Sequence, residues 1–80
     1  MLLQRNEIMR LRYCGKTDSL YIDLAERPSA DSREIQPGIV LDFDAAGNLV
    51  GIDIDHASKV IDLSRLEIES LPVTSVGLVA

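Results

Sequence analysis

Apolar and polar positions alternate most regularly in two stretches of the chain. In the first, Met9, Leu11 and Tyr13 are interleaved with Arg10 and Arg12, and Leu20, Ile22 and Leu24 with Tyr21 and Asp23. Successive side chains of a strand point to opposite faces, so period two reads as a pair of half-buried strands. Cys14-Gly15-Lys16-Thr17-Asp18 is the turn between them. The second stretch, residues 38–55, is the stronger signal. Two runs rich in Ile and Val flank Asp44-Ala45-Ala46-Gly47-Asn48, which predicts a hairpin with a short Gly-containing loop. Gly47 can take the left-handed conformation such a loop requires at no side-chain cost.

Residues 25–37 hold Pro28, Ser29, Asp31, Ser32 and Pro37 and read as a polar connection between the hairpins, with Arg33-Glu34-Ile35 able to begin pairing before Pro37. After residue 55 the period changes. Asp55 is placed to cap a short helix, since its carboxylate can accept a free backbone N–H, and Ala57, Val60 and Ile61 then share one helical face. In residues 64–71, Leu66 and Ile68 alternate with Arg65, Glu67 and Glu69, which favours a strand ended by Pro72, although Ser64 and Glu67 also have capping-box spacing. Residues 73–80 carry no charged side chain and are apolar enough to pack on something, a second chain included. The fold class expected is α+β, mostly β: an antiparallel meander of about four strands in two hairpins, a short helix, and room for a fifth, C-terminal strand. It forms one domain over residues 1–80, with its core in about 9–71 and extensions at 1–8 and 73–80.

The second hairpin has two faces to account for. Ile39, Leu41 and Phe43 point one way, and pairing of Asp44 with Asn48 sends Leu49 to the same side. A regular register then sends Val50, Ile52 and Ile54 to the side of Val40. Both sides of the ribbon would be apolar and would need two covers. One short helix supplies one, so Ile39, Leu41, Phe43 and Leu49 are the expected interface with a second copy or another protein.

Composition sharpens this picture. Eighty residues with 46% apolar and 26% charged side chains make an ordinary small globular domain. A chain of that size buries only roughly 60–65% of its unfolded surface. Aromatic residues are 4% and Trp is absent, so Leu, Ile and Val must build the core. The single Cys excludes an internal disulfide, and a second copy of the chain is one remaining way to bury more surface. The net charge of −5 argues against a nucleic-acid binder, which needs a basic stripe. Neither a signal-peptide core nor a run approaching the roughly 20 apolar residues of a membrane span is visible, so a cytoplasmic location and no membrane partner are expected.

The residues also fit a known pattern. Tyr13 to Leu24 (Tyr-Cys-Gly-Lys-Thr-Asp-Ser-Leu-Tyr-Ile-Asp-Leu) and Gly38 to Lys59 (Gly-Ile-Val-Leu-Asp-Phe-Asp, then Gly-Asn-Leu-Val-Gly-Ile-Asp-Ile, then Ala-Ser-Lys) resemble a small bacterial domain-of-unknown-function family over about residues 9–61. Cys14 stands where that family usually has Asp. The resemblance implies a compact sheet followed by a short helix and no activity. Through the small toxin-like genes thought to lie beside its members, it also implies an antitoxin-like role.

Candidate chemistry is sparse. Asp42, Asp44, Asp53, Asp55 and His56 are the one cluster worth testing as a cation or small-ligand site. The expected register separates Asp42 and Asp44 from Asp53 and Asp55, and the loop lacks the spacing of a calcium-binding helix–loop–helix segment. Turn hydrogen bonds for Asp44 and Asn48 and a cap for Asp55 are the simpler reading. Cys14 and His56 lack the two further soft ligands that zinc requires. Neither Cys14 nor any Ser has the activating partner of a nucleophile, so no enzyme and no cofactor are expected. Arg10 and Arg12 are expected to pair with Asp23 across the first hairpin. The function expected is a non-enzymatic interaction module that self-associates. An antitoxin-like partner of a small basic protein is the alternative, and weak metal or small-ligand binding at the acidic turns the second.

Overall fold

The computed structural model describes residues 8–79. The alternating runs become strands β1 (Arg10–Cys14), β2 (Ser19–Asp23), β4 (Ile39–Phe43) and β5 (Leu49–Ile54). A further strand, β3 (Asp31–Gln36), takes in the Arg33-Glu34-Ile35 segment expected to begin pairing within the polar connection, and the helix α1 (Ala57–Val60) follows β5. All five strands form one antiparallel sheet in the order β1-β2-β5-β4-β3. The chain after β2 crosses to the far edge of the sheet, builds β3 and β4, and returns to the middle as β5. β3 is charged and fully exposed, so propensity alone does not announce it. It forms because β4 offers it five paired positions.

The expected C-terminal strand is absent. Residues 61–79 run without helix or strand, and Ser70 sits in the left-handed region at φ 55°, which interrupts extended backbone just before Pro72. The expectation of an extension at 1–8 lies, apart from the exposed Ile8, outside the described residues.

The register of β4 with β5 corrects the expected faces. Ile39 pairs with Ile54, Leu41 with Ile52 and Asp42 with Gly51, but Phe43 pairs with Leu49, so Val50 is an extra residue in a β-bulge. Side chains of paired residues share a face. The bulge therefore keeps Leu49 beside Phe43 and moves Ile52 and Ile54 onto the side of Ile39 and Leu41. One such slip exchanges the faces of every residue beyond it. The ribbon is apolar on one side only. Val40 pairs with Asp53 on the other side, beside Asp42 and the Tyr21 that pairs with Asp53 on β2.

The first hairpin follows the same division. Tyr13 pairs with Leu20 and Leu11 with Ile22 on the apolar face, whereas Arg12 pairs with Tyr21 and Arg10 with Asp23 on the polar face. The core is small. Leu20, Ile54 and Ala57 form one buried cluster, with Ile22, Ile39, Ile52 and Ile61 packed against it. Helix α1 thus covers one end of the apolar face through Ala57, which is wholly buried, and the following Ile61. Val60, expected on the same helical face, is exposed instead.

Candidate functional site

The apolar face is the first feature that a partner could use. At its helix end Ile39 is drawn into the chain's own cluster. At the other end Leu41, Phe43 and Leu49 remain half-buried outside that cluster, and Leu11 and Tyr13 on β1 are each 51% exposed. The Arg33 guanidinium lies 4.8 Å from the centre of the Phe43 ring, within the range of a cation–π contact, and rims this end of the face. All four residues singled out in the sequence are half-buried; Ile39 packs against the chain's own core cluster, and Leu41, Phe43 and Leu49 lie outside it.

The opposite face is a hydrogen-bonded polar network. Tyr21 lays its ring across β5 at Gly51 and donates from its hydroxyl to Asp42 Oδ2 at 2.7 Å. Ser32 on β3 donates to the other oxygen, Oδ1, at 2.6 Å. Any side chain at position 51 would collide with Tyr21, since a Cβ there would lie 1.9 Å from the hydroxyl oxygen. The glycine inside this strand is thus explained by a close approach as well as by the neighbouring bulge. Burial, followed by the bond to Asp42, pushes the Tyr21 hydroxyl up to about 12. Burial, followed by the charges of Asp55 and Asp42, raises the Asp53 carboxyl above the usual range. Asp42 and Asp53 lie on the same face, not on opposite ones as the regular register implied.

Arg12 reaches diagonally to Asp23 at 2.8 Å, and Arg10 stands 4.0 Å from Glu26. One of the two expected arginine pairings with Asp23 is therefore made, by the residue two positions along the strand from the direct partner.

Asp44 behaves as a turn residue. Its Oδ1 accepts from the backbone N–H groups of Ala46 and Asn48, and its Oδ2 accepts from Arg27 Nε at 2.8 Å. The bond from Asn48, offset by partial burial and helped by Arg27, holds its carboxyl below the usual range. Gly47, at φ 85°, supplies the left-handed step of this loop. The expected helix cap fails. His56, not Asp55, is the capping position, in a left-handed conformation and without a side-chain bond. The first turn of α1 is instead served by Asp18, whose carboxylate accepts from Ser58 N at 3.1 Å and from Ser58 Oγ at 2.7 Å, and also from the Tyr13 hydroxyl. These bonds, those from the Ser58 and Tyr13 hydroxyls first, hold its carboxyl below the usual range. Nothing in the local sequence marks this cap, because its donor and acceptor are forty positions apart.

Cys14 is exposed, and the Thr17 hydroxyl draws its thiol below the usual value. Among the described residues no group of three or more His, Cys, Asp or Glu side chains is arranged to hold a metal ion. No buried side-chain polar atom among them lacks a hydrogen-bond partner. No helix of the described residues is long and apolar enough to cross a membrane.

A family model described as a protein of unknown function (DUF2283) matches residues 10–58, and the chain belongs to this family. The matched segment covers all five strands and the start of α1. No curated protein and no solved structure matches the chain.

Proposed function

We propose that this DUF2283-family domain is a non-catalytic interaction module that self-associates through the apolar face of its sheet. The observation that carries this reading is the mismatch between that face and its cover. A four-residue helix lies over one end, and among the described residues only Leu20, Val50, Ile54 and Ala57 are buried apolar residues. A second copy suits Leu11, Tyr13, Leu41, Phe43 and Leu49 because the same patch meets itself across a two-fold axis.

Light scattering at low micromolar concentration tests this reading. A mass of twice 8.8 kDa is the expected result, and a stable monomer of 8.8 kDa overturns it. The polar face favours a second reading. Asp42 and Asp53 lie together there on a chain of net charge −5, which suits a small basic partner protein because complementary charge speeds encounter. Co-expression with a neighbouring gene product tests it, and failure to co-purify removes it.

A further inference from the structure

The tail after α1 keeps the alternation of a strand without being one. Leu66 and Ile68 alternate with Glu67 and Glu69, yet residues 66–69 pair with no strand, and Leu66 is 67% exposed. The two edges of the sheet, β1 and β3, are fully exposed along their length. On an edge strand alternate backbone N–H and C=O groups point outward, ready to bond an added strand. Among the described residues no backbone hydrogen bond outside the sheet reaches residues 10–14.

The two edges are not equivalent hosts. β3 carries a bulge between Glu34 and Gln36 and sets Asp31 and Arg33 on the apolar face, with Glu34 on the polar face. A strand bearing Leu66, Ile68, Glu67 and Glu69 meets charge opposite its apolar side and like charge opposite its acidic side there. β1 has an unbroken register, with Leu11 and Tyr13 on the apolar face and Arg10 and Arg12 on the polar face. An antiparallel register that sets Leu66 against Tyr13, Glu67 against Arg12, Ile68 against Leu11 and Glu69 against Arg10 matches every position. Apolar side chains then extend the apolar face, and each Glu lies opposite an Arg, the arrangement that stabilises cross-strand pairs.

We propose that residues 66–69 of one copy add as a sixth strand to the β1 edge of a second copy, and reciprocally. This rests on the self-association put forward above and names the contact that locks it. In the chain's own fold the segment stays unpaired, and Ser70 and Pro72 bound it at one end. Mutual addition of strands between identical chains is a low-cost route to a closed dimer.

The register makes a covalent test available, because Cys14 is the next polar-face residue of β1 and falls opposite Arg65. Cross-strand Cα atoms lie about 4.5–5.5 Å apart, within the reach of a disulfide. The full-length Arg65→Cys variant is oxidised mildly, run on a non-reducing gel, and digested for mass spectrometry. The expected result is conversion of most of the protein to a covalent dimer whose disulfide joins Cys14 to position 65 of the other chain. Cys14→Ser in the same background abolishes that product, and Leu66→Cys, which faces away from Cys14, gives much less of it. A disulfide between the same positions within one chain overturns the exchange in favour of a tail folded onto its own sheet. No disulfide at all overturns the strand pairing. If the dimer mass persists by light scattering in either of those cases, self-association stands and only the tail contact falls.

Discussion

At the scale of single residues, the structure turns on a crossing between Tyr21 and Gly51. Tyr21 can reach Asp42 only by passing over β5, and the passage is open because position 51 has no side chain. Gly51→Ala is expected to push the ring aside, break the bond to Asp42 and cost about 1–3 kcal/mol, the usual scale for forcing a methyl into a filled site. Urea denaturation reads this directly. Tyr21→Phe is the companion variant: it keeps the ring and removes the hydroxyl, so it isolates the hydrogen bond, with an expected loss of about 0.5–3 kcal/mol. If Gly51→Ala is as stable as the parent, the ring does not lie where the structure places it. A glycine inside a strand marks a bulge or a close approach; the partner that approaches is not legible from it. Tyr21 and Gly51 are thirty positions apart, and local pattern carries no information about which side chain will cross a neighbouring strand.

At the scale of elements, α1 is too short to hold itself, since an isolated helix of this length is unstable in water. It is tied to the turn of the first hairpin through Asp18, which accepts from both the backbone and the hydroxyl of Ser58, while Ala57 N donates to the backbone carbonyl of residue 18. The Asp18 carboxyl is held below its ordinary value by these bonds. A carboxyl whose pKa is lower in the folded state contributes stability above its unfolded pKa, about 3.9, and that contribution is lost as the pH falls through the folded value. Asp18→Asn is therefore expected to lower the melting temperature at pH 7. The gap to the parent should narrow as the pH drops below about 4, once the parent's own carboxyl becomes protonated. A gap that is unchanged across that range contradicts the tether. The two hairpins and the helix were legible because their alternation and turn residues are local. β3 was legible only as a short pairing segment at Arg33-Glu34-Ile35, because a charged edge strand is stabilised by the β4 beside it rather than by its own side chains. The strand expected at 64–71 shows the converse: alternation alone does not create a strand where no edge is met within the chain.

At the scale of the whole molecule, one bulge decides the architecture. A regular register at β4–β5 makes the central ribbon apolar on both sides, whereas the extra residue at Val50 gathers Ile39, Leu41, Ile52 and Ile54 on one side and leaves the other to Tyr21, Asp42, Asp53 and a single apolar strand residue, Val40. The sequence contains the bulge only as a glycine inside a strand, which does not state its direction. The result is a sheet with a single apolar face, a core of few residues and an elongated outline of 46 × 29 × 24 Å. Leu41→Asp places a carboxylate on that face, opposite Ile52. Burying it without a partner costs several kcal/mol, comparable with the stability of a small domain, so the variant is expected to dissociate or unfold, as read by scattering and circular dichroism together. A folded variant with the parent's mass would show that the face is not used.

If a second copy supplies burial that one chain lacks, folding is coupled to concentration. The melting temperature of the full-length protein, followed by circular dichroism over a hundredfold range of protein concentration, tests it most directly. A partner that binds only the folded form raises stability by mass action. A melting temperature that climbs steadily with concentration is the expected result; one that stays constant across the range contradicts self-association.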